Sequence, residues 1–476
     1  MARISDLSDE LLLKILSFLP TKEAVSTSVL SKQWEFLWMW LPELKFEFTR
    51  SKYACLRDFI AKNLPIHKAP IIESLRLRSI HGAIQPEDLD SWVGTAVSRC
   101  VRELSISTDL YYTHHLQPFV SLPCSLYSCN SLVTLNLCGR YIFVDVPPTV
   151  CLPCLKTLQL EFVAYSHEDS LPLLLSYCPA LENLSIDLEE SINYDNVLLP
   201  CSLYSLKSLV TLKLQGGTIL VDVPRTVCLP SLKTLQLRCV TYPNDESLRL
   251  LLSHCPVLED LMIDYDNLRK LVIIVPSLQR LSLCLNADCS SDGCVIVTPC
   301  LKSFDVVDQR CPSPYLIEHM PELEEASIIL TGDTEKDTER LLKSITNVKR
   351  LSLSMTLNSG KGNVYPDGIV FSQLETLELY ICSQNWSKLL VNLLKDSPNL
   401  RVLHLVVDHS QFKETRGEYE PVSSSNNQGS VPTCFLNSLE TFKFEGYNSV
   451  EQEDRDLLSF IFKHACCLKS TSVVHK

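Results

Sequence analysis

Leu155-Lys156-Thr157-Leu158-Gln159-Leu160 returns unchanged as Leu232-Lys233-Thr234-Leu235-Gln236-Leu237, 77 residues further along the chain. The match extends on both sides without a gap: Leu122 to Asp187 aligns on Leu199 to Asp264, with about two-thirds of positions identical. Pro123 falls on Pro200, Tyr127 on Tyr204, Asp145 on Asp222 and Cys178 on Cys255. So long an ungapped match marks a duplicated block. The block itself is periodic, because LxxLxL or a close variant occurs at Leu132 to Leu137, Leu155 to Leu160 and Leu181 to Ile186. Upstream it recurs at Ile72 to Leu77 and Val101 to Ile106, and downstream from Leu258 to Ile263 through Leu439 to Phe444. Most steps fall in the leucine-rich-repeat range of roughly 20–29 residues.

The two leucines of L-x-L point to one face of a short strand and the residue between them to the other. A single unit would leave its leucine face in water. Stacking units into a parallel sheet buries it, at roughly 1.5–3 kcal/mol per side chain. The connections carry helical spacing, as at Leu171, Leu174, Leu175 and Cys178, and again at Leu390, Leu393 and Leu394. Pro179, Pro256 and Pro398 then stop the helix before the next strand. The expectation is an α/β leucine-rich-repeat solenoid with a curved parallel sheet.

With 476 residues and 46% hydrophobic composition, the chain exceeds one compact core, which agrees with a repeat array. A net charge of −13 and a pI near 5.4 argue against nucleic acid and membrane partners. The apolar stretch from Leu11 to Leu19 is interrupted by Lys14 and Ser17, so it reads as neither signal peptide nor membrane span, and cytosol or nucleus is the expected compartment. There the 21 cysteines are expected to be reduced, most of them as small buried hydrophobes. Cys151-Leu152-Pro153-Cys154 has the spacing of half a thiolate metal site, but its duplicate reads Cys228-Leu229-Pro230-Ser231. The pair is therefore expected to be buried repeat cysteines, with no metal and no cofactor. No nucleophile elbow, phosphate loop, zinc-protease helix or dinucleotide turn occurs, which points away from an enzyme.

The first forty residues follow another pattern. Leu11, Leu12, Ile15, Leu16 and Leu19 form a helical stripe, with Ser8 as N-cap and Asp9 and Glu10 in the first turn. A short second helix is expected over Lys22 to Ser28, and a third from Ser31 through Trp38, with Trp34, Leu37 and Trp38 on its apolar stripe. So small a segment cannot bury all these groups on itself, and so it needs a partner.

Ile4 to Leu12, Ile15 to Pro20 and Val29 to Trp34 together resemble an F-box, and with the repeats behind it the chain is similar to the plant F-box/FBD/LRR proteins. Val431-Pro432-Thr433-Cys434, Ser438-Leu439-Glu440, Gly446-Tyr447 and the helix Leu457 to His464 resemble the FBD module. The resemblance implies a three-helix F-box over 1–44 and an FBD-like module over 431–476, with the repeat solenoid over 45–407; the composition break from Asp408 to Gly429 cannot bury apolar area and is expected to be a mobile loop over 408–430. It implies that Leu7, Ser8, Leu11, Leu12, Ile15, Leu16, Leu30, Trp34 and Leu37 form the F-box core or dock a Skp-type adaptor of a cullin–RING ubiquitin ligase. Ser8 stands where the family usually has proline, and Gln33 and Glu35 where a basic residue often flanks the tryptophan. The expected role is a non-catalytic substrate-recognition subunit. The alternatives are an interaction scaffold without ligase function and a receptor completed by a small molecule. Candidate substrate-face residues are Asn136, Gln159, Glu161 and Ser185 in the first copy and Lys213, Gln236, Arg238 and Met262 in the second. Drift of unpacked positions is the simpler account of their differences, and diversification for binding the other.

Overall fold

The structure is a computed structural model that describes residues 4, 7–80, 84–108, 119–167, 169–188, 197–264, 268–285, 293–309, 315–330, 335–355, 368–381, 386–411 and 431–475. It divides into two compact units, Met1–Leu232 and Lys233–Lys476.

The first unit opens with the helices Asp9–Leu16 and Thr21–Ser26. Behind them, the strands Glu43–Thr49, Ser74–Ile80, Glu103–Thr108, Thr134–Cys138, Thr157–Glu161, Asn183–Asp187 and Thr211–Gln215 pair in that order, every pair parallel. Glu43–Thr49 stands one strand ahead of the first repeat that leucine spacing marks, because it carries Phe46 and Phe48 at inward positions where leucine is the usual marker. Register proves the equivalence: Leu44 pairs with Leu75 and Phe46 with Leu77.

Two hydrogen-bond patterns fasten neighbouring repeats, the second of them at repeats where a serine precedes the first leucine. The second residue of LxxLxL offers its carbonyl to two successive N–H groups of the following repeat. Val133 O accepts from Lys156 N at 2.8 Å and Thr157 N at 3.0 Å, and Lys156 O accepts from Glu182 N and Asn183 N. The serine preceding the first leucine donates to the first residue of the repeat before it: Ser131 Oγ to Val101 O at 2.9 Å and Ser208 Oγ to Leu181 O at 2.8 Å. Both patterns satisfy backbone groups that burial would otherwise penalise. The glycine that ends the strand is also forced: Gly139 holds φ +144°, and a Cβ there would lie 1.7 Å from Thr108 Oγ1.

In the second unit, the strands Thr234–Arg238, Asp260–Asp264, Arg280–Leu285, Ser303–Asp308, Glu325–Leu330, Arg350–Met355, Thr376–Ile381, Val402–Val407, Thr441–Tyr447 and Ser470–His475 again pair in order and in parallel. The same serine device recurs, Ser277 Oγ to Leu258 O at 2.8 Å and Ser438 Oγ to Leu400 O at 2.9 Å. Some connections are helices, as the spacing predicts: Asp245–Ser253 and Trp386–Lys395. Others are strands, and Lys270–Ile274, Gly293–Val297 and Tyr315–Ile317 form a separate parallel sheet.

The long step between Leu403 and Phe442 reads from sequence as the boundary of a separate module, yet Phe442 stands in register with Leu403 and Phe444 with Leu405. The C-terminal segment is a continuation of the stack, and Ser470–His475 adds a strand that the leucine scan misses. Of the loop expected over 408–430, His409–Gln411 is a short 3-10 turn and 412–430 lies outside the described residues.

Candidate functional site

The N-terminal helices divide the predicted docking residues into two sets. Leu12, Leu16, Trp34 and Leu37 are buried and pack with Ala24, Trp38 and Leu41 into one core, with Leu7 partly buried against it. Leu11 is 50% exposed, Ile15 37% and Leu30 64%, and Ser8 is exposed as well. Helical geometry gives the reason: Leu12 and Leu16 are four residues apart on one stripe, and Leu11 and Ile15 four apart on the next. Phe18, just past the helix end, is 77% exposed, and Val29, beside Leu30, is 88% exposed. The helical period does not point to these two, because Phe18 lies beyond the helix end and Val29 in the 3-10 turn Thr27–Val29.

Two local expectations need correction. Ser8 takes the N-cap position, but its side chain makes no capping hydrogen bond. The third helix is a run of turns that ends in the 3-10 segment Leu37–Trp40. Gln33 has a structural task in place of the basic residue of the family: its Nε2 donates to Leu7 O at 3.1 Å and to Asp9 Oδ1 at 3.0 Å, pinning the start of the first helix. Ser5 and Asp6 lie outside the described residues.

The helices are fixed to the first repeats by polar contacts. Lys45 donates its N–H to buried Thr21 Oγ1 at 2.8 Å and its Nζ to Ser17 O at 2.9 Å. His67 Nε2 lies 2.9 Å from Leu41 O, and Arg99 Nη1 donates to His67 O at 2.9 Å. Burial lowers the His67 pKa, the Leu41 carbonyl opposes that, and the Arg99 charge adds to it, so the neutral ring is favoured.

On the strand faces, the predicted substrate-face residues fall into register rows. Asn136, Gln159, Ser185 and Lys213 form one row of the first unit, with Glu161 in the neighbouring row. In the second unit Gln236 pairs with Met262, and Arg238 stands beside Asp264, its Nε 3.8 Å from Oδ2. A denser polar group, which sequence reasoning did not single out, lies where the last repeats meet the C-terminal strands. His404 Nδ1 is 2.8 Å from Glu378 Oε1 and Nε2 is 3.4 Å from Glu445 Oε1, and Lys443 pairs with Glu445. The Tyr380 hydroxyl donates to Glu378 Oε1 at 2.9 Å, and that carboxylate keeps the phenol protonated above its usual range. The Lys443 ammonium holds the Glu445 carboxyl below its usual range.

Below this face, Glu453 Oε1 accepts from Ser387 N at 2.9 Å and Ser387 Oγ at 2.7 Å, capping the start of helix Trp386–Lys395 with a negative charge. Fully buried Asp454 accepts from Asn448 N at 2.8 Å and lies 3.1 Å from His409 Nε2. Both contacts tie the C-terminal helix Gln452–His464 to the preceding repeat.

The cysteine expectation is overturned in part. Cys151 and Cys154 are exposed, as is Cys228, and among the described cysteines only Cys129, Cys178, Cys255, Cys294 and Cys434 are buried. The CLPC segment lies in a surface turn whose inward residue is Leu152, so its thiols face out. Among the described residues no cluster of His, Cys, Asp or Glu could hold a metal ion, and no helix is long and apolar enough to cross a membrane.

Comparison with known proteins agrees with this layout. Residues 4–46 match the F-box domain, residues 89–194 and 189–335 match the family described as "FBD-associated F-box protein At5g56370, LRR repeats", and residues 427–473 match FBD. The chain is 46% identical to the FBD-associated F-box protein At5g60610 of Arabidopsis thaliana, covering 100% of each chain. It is 40% identical to the FBD-associated F-box protein At4g10400 of the same plant, over 99% of this chain and 92% of that one. An N-terminal helical module with a spare apolar face, parallel leucine repeats and a C-terminal FBD coincide here with full-length likeness to such proteins: the chain belongs to the plant F-box/FBD/LRR-repeat family.

Proposed function

We propose that the chain is the substrate-recognition subunit of an SCF-type cullin–RING ubiquitin ligase. Its F-box docks a Skp-type adaptor, and its leucine repeats hold a protein substrate on the outward strand face. The observation that carries this reading is the exposure of Leu11, Ile15, Phe18, Val29 and Leu30 beside a complete core. Apolar groups of that size, left in water next to a module that is already packed, mark an interface. Leu12, Leu16, Trp34 and Leu37 support the docking surface from within, and Leu7 and Ser8 lie at its margin. The chain supplies proximity and orientation, and the chemistry belongs to the associated conjugating enzyme.

The test is capture of a purified Skp-type adaptor by the full chain. Leu11→Asp with Leu30→Asp, both at exposed positions, should leave the circular dichroism and melting curve unchanged and weaken capture more than tenfold. Capture that survives the double change, or that never occurs even with Ser8→Pro, removes the ligase reading and leaves the interaction scaffold in its place.

A further inference from the structure

We infer that the FBD is the far end of the substrate seat, and that this seat takes an extended protein segment bearing aliphatic side chains beside a basic one. The inference rests on the reading above, in which the outward strand face carries substrate.

The outward rows of the two units differ in chemistry. In the first unit one row runs Glu47, Arg78, Ser107, Cys138, Glu161, Asp187, the polar composition a solvated strand face should have. The corresponding row of the second unit starts polar with Arg238, Asp264 and Cys284, then runs Val307, Ile329, Ser354, Tyr380, Val406 to Glu445 of the FBD strand and ends on Val474 of the last strand. Ile329 is 37% exposed and Tyr380 38%. Drift does not favour aliphatic and aromatic groups at successive solvent-facing positions, whereas a binding face does.

Charge selects the occupant. The adjacent row runs Asp305, Ser327, Ser352, Glu378, His404, Lys443, again ending in the FBD. From Asp305 onward the two rows set three carboxylates, Asp305, Glu378 and Glu445, against one lysine, Lys443, and the His404 ring. A cationic side chain of the ligand is complementary to either end of the seat. A second copy of this chain, at net charge −13, is a poor occupant. The FBD supplies Lys443 and Glu445 to this face, so it acts as the last repeats of the reader.

The experiment uses the full chain bound to its adaptor and three synthetic fluorescent peptides of one length. One alternates valine and arginine, one valine and glutamate, one serine and arginine. Fluorescence anisotropy should show the valine–arginine peptide binding at least tenfold more tightly than either control. Glu378→Lys and Glu445→Lys should each weaken it tenfold or more, whereas Glu87→Lys, at an exposed position of helix Pro86–Ser98 and off the strand face, should leave it unchanged. Binding lost on Glu161→Lys but kept on Glu378→Lys and Glu445→Lys overturns this inference and keeps the strand-face reading. Binding untouched by Glu161→Lys, Glu378→Lys and Glu445→Lys alike overturns both. Equal binding of all three peptides, or none, overturns the ligand chemistry proposed here.

Discussion

The F-box and the repeats are both leucine-rich, and they treat leucine in opposite ways. Leu135, Leu158, Leu212 and Leu235 are 0% exposed, whereas Leu11 and Leu30 are at least half exposed. In a repeat, the neighbour that covers a leucine comes from the same chain one period later, so spacing alone predicts burial. In the F-box no later segment among the described residues returns to cover the outer stripe. Periodicity there identifies a helix with two apolar stripes and leaves open which one faces inward.

The largest effect that sharpens this contrast is in stability. Leu12→Ala should cost about 2–5 kcal/mol, as should Leu158→Ala in the repeats, whereas Leu11→Ala should change stability by less than about 0.5 kcal/mol. Urea denaturation of the three variants measures this, and a Leu11→Ala cost as large as that of Leu12→Ala would erase the distinction between the stripes. Next comes Gly446→Ala. Gly446 holds φ +78°, and a Cβ there would lie 2.1 Å from Val407 O, beside the register shift between the last two strands. The strain should lower stability by about 1–3 kcal/mol, with the loss appearing in hydrogen exchange of Ser470–His475 before the rest of the unit. An FBD that merely hung from the repeats would show no such loss.

A smaller effect belongs to the serines between repeats. Ser208→Ala removes the donor to Leu181 O and should cost about 1 kcal/mol in the same assay. The smallest is a pH dependence at the junction of F-box and repeats. Because the folded state lowers the His67 pKa, the unfolded chain binds its proton first as pH falls. The contribution is complete above the ordinary histidine value of about 6.5 and is lost as pH drops below it toward the lower folded value. The variant His67→Gln should melt with a shallower acid slope in that window. An unchanged slope would show that the ring contributes nothing there.

Much of the fold was legible because leucine at fixed spacing states both strand position and facing. The strands it missed have physical reasons. Glu43–Thr49 uses phenylalanine at its inward positions, and Ser470–His475 places Thr471 and Val473 in the register of Phe442 and Phe444. The side sheet of Lys270–Ile274, Gly293–Val297 and Tyr315–Ile317 was not read, because runs such as Leu271-Val272-Ile273-Ile274 carry no period that distinguishes strand from buried helix. The site was less legible than the fold. The rows of the strand face exist only once register is known, so the apolar row that contains Ile329 and Tyr380 is scattered through the sequence at distances no local pattern links.

The serine contacts also bear on how the duplicated block could arise. Each copy carries a donor near its start and the matching acceptor near its end: Ser131 and the Leu181 carbonyl in the first, Ser208 and the Leu258 carbonyl in the second. Ser208 finds at the end of the first copy what Ser131 finds at Val101, and Ser277 finds the same at the end of the second. Head and tail of the block are therefore chemically complementary, like identical couplings on railway carriages. An added copy keeps this hydrogen bond at both seams, so the chain could lengthen by a whole block in one step.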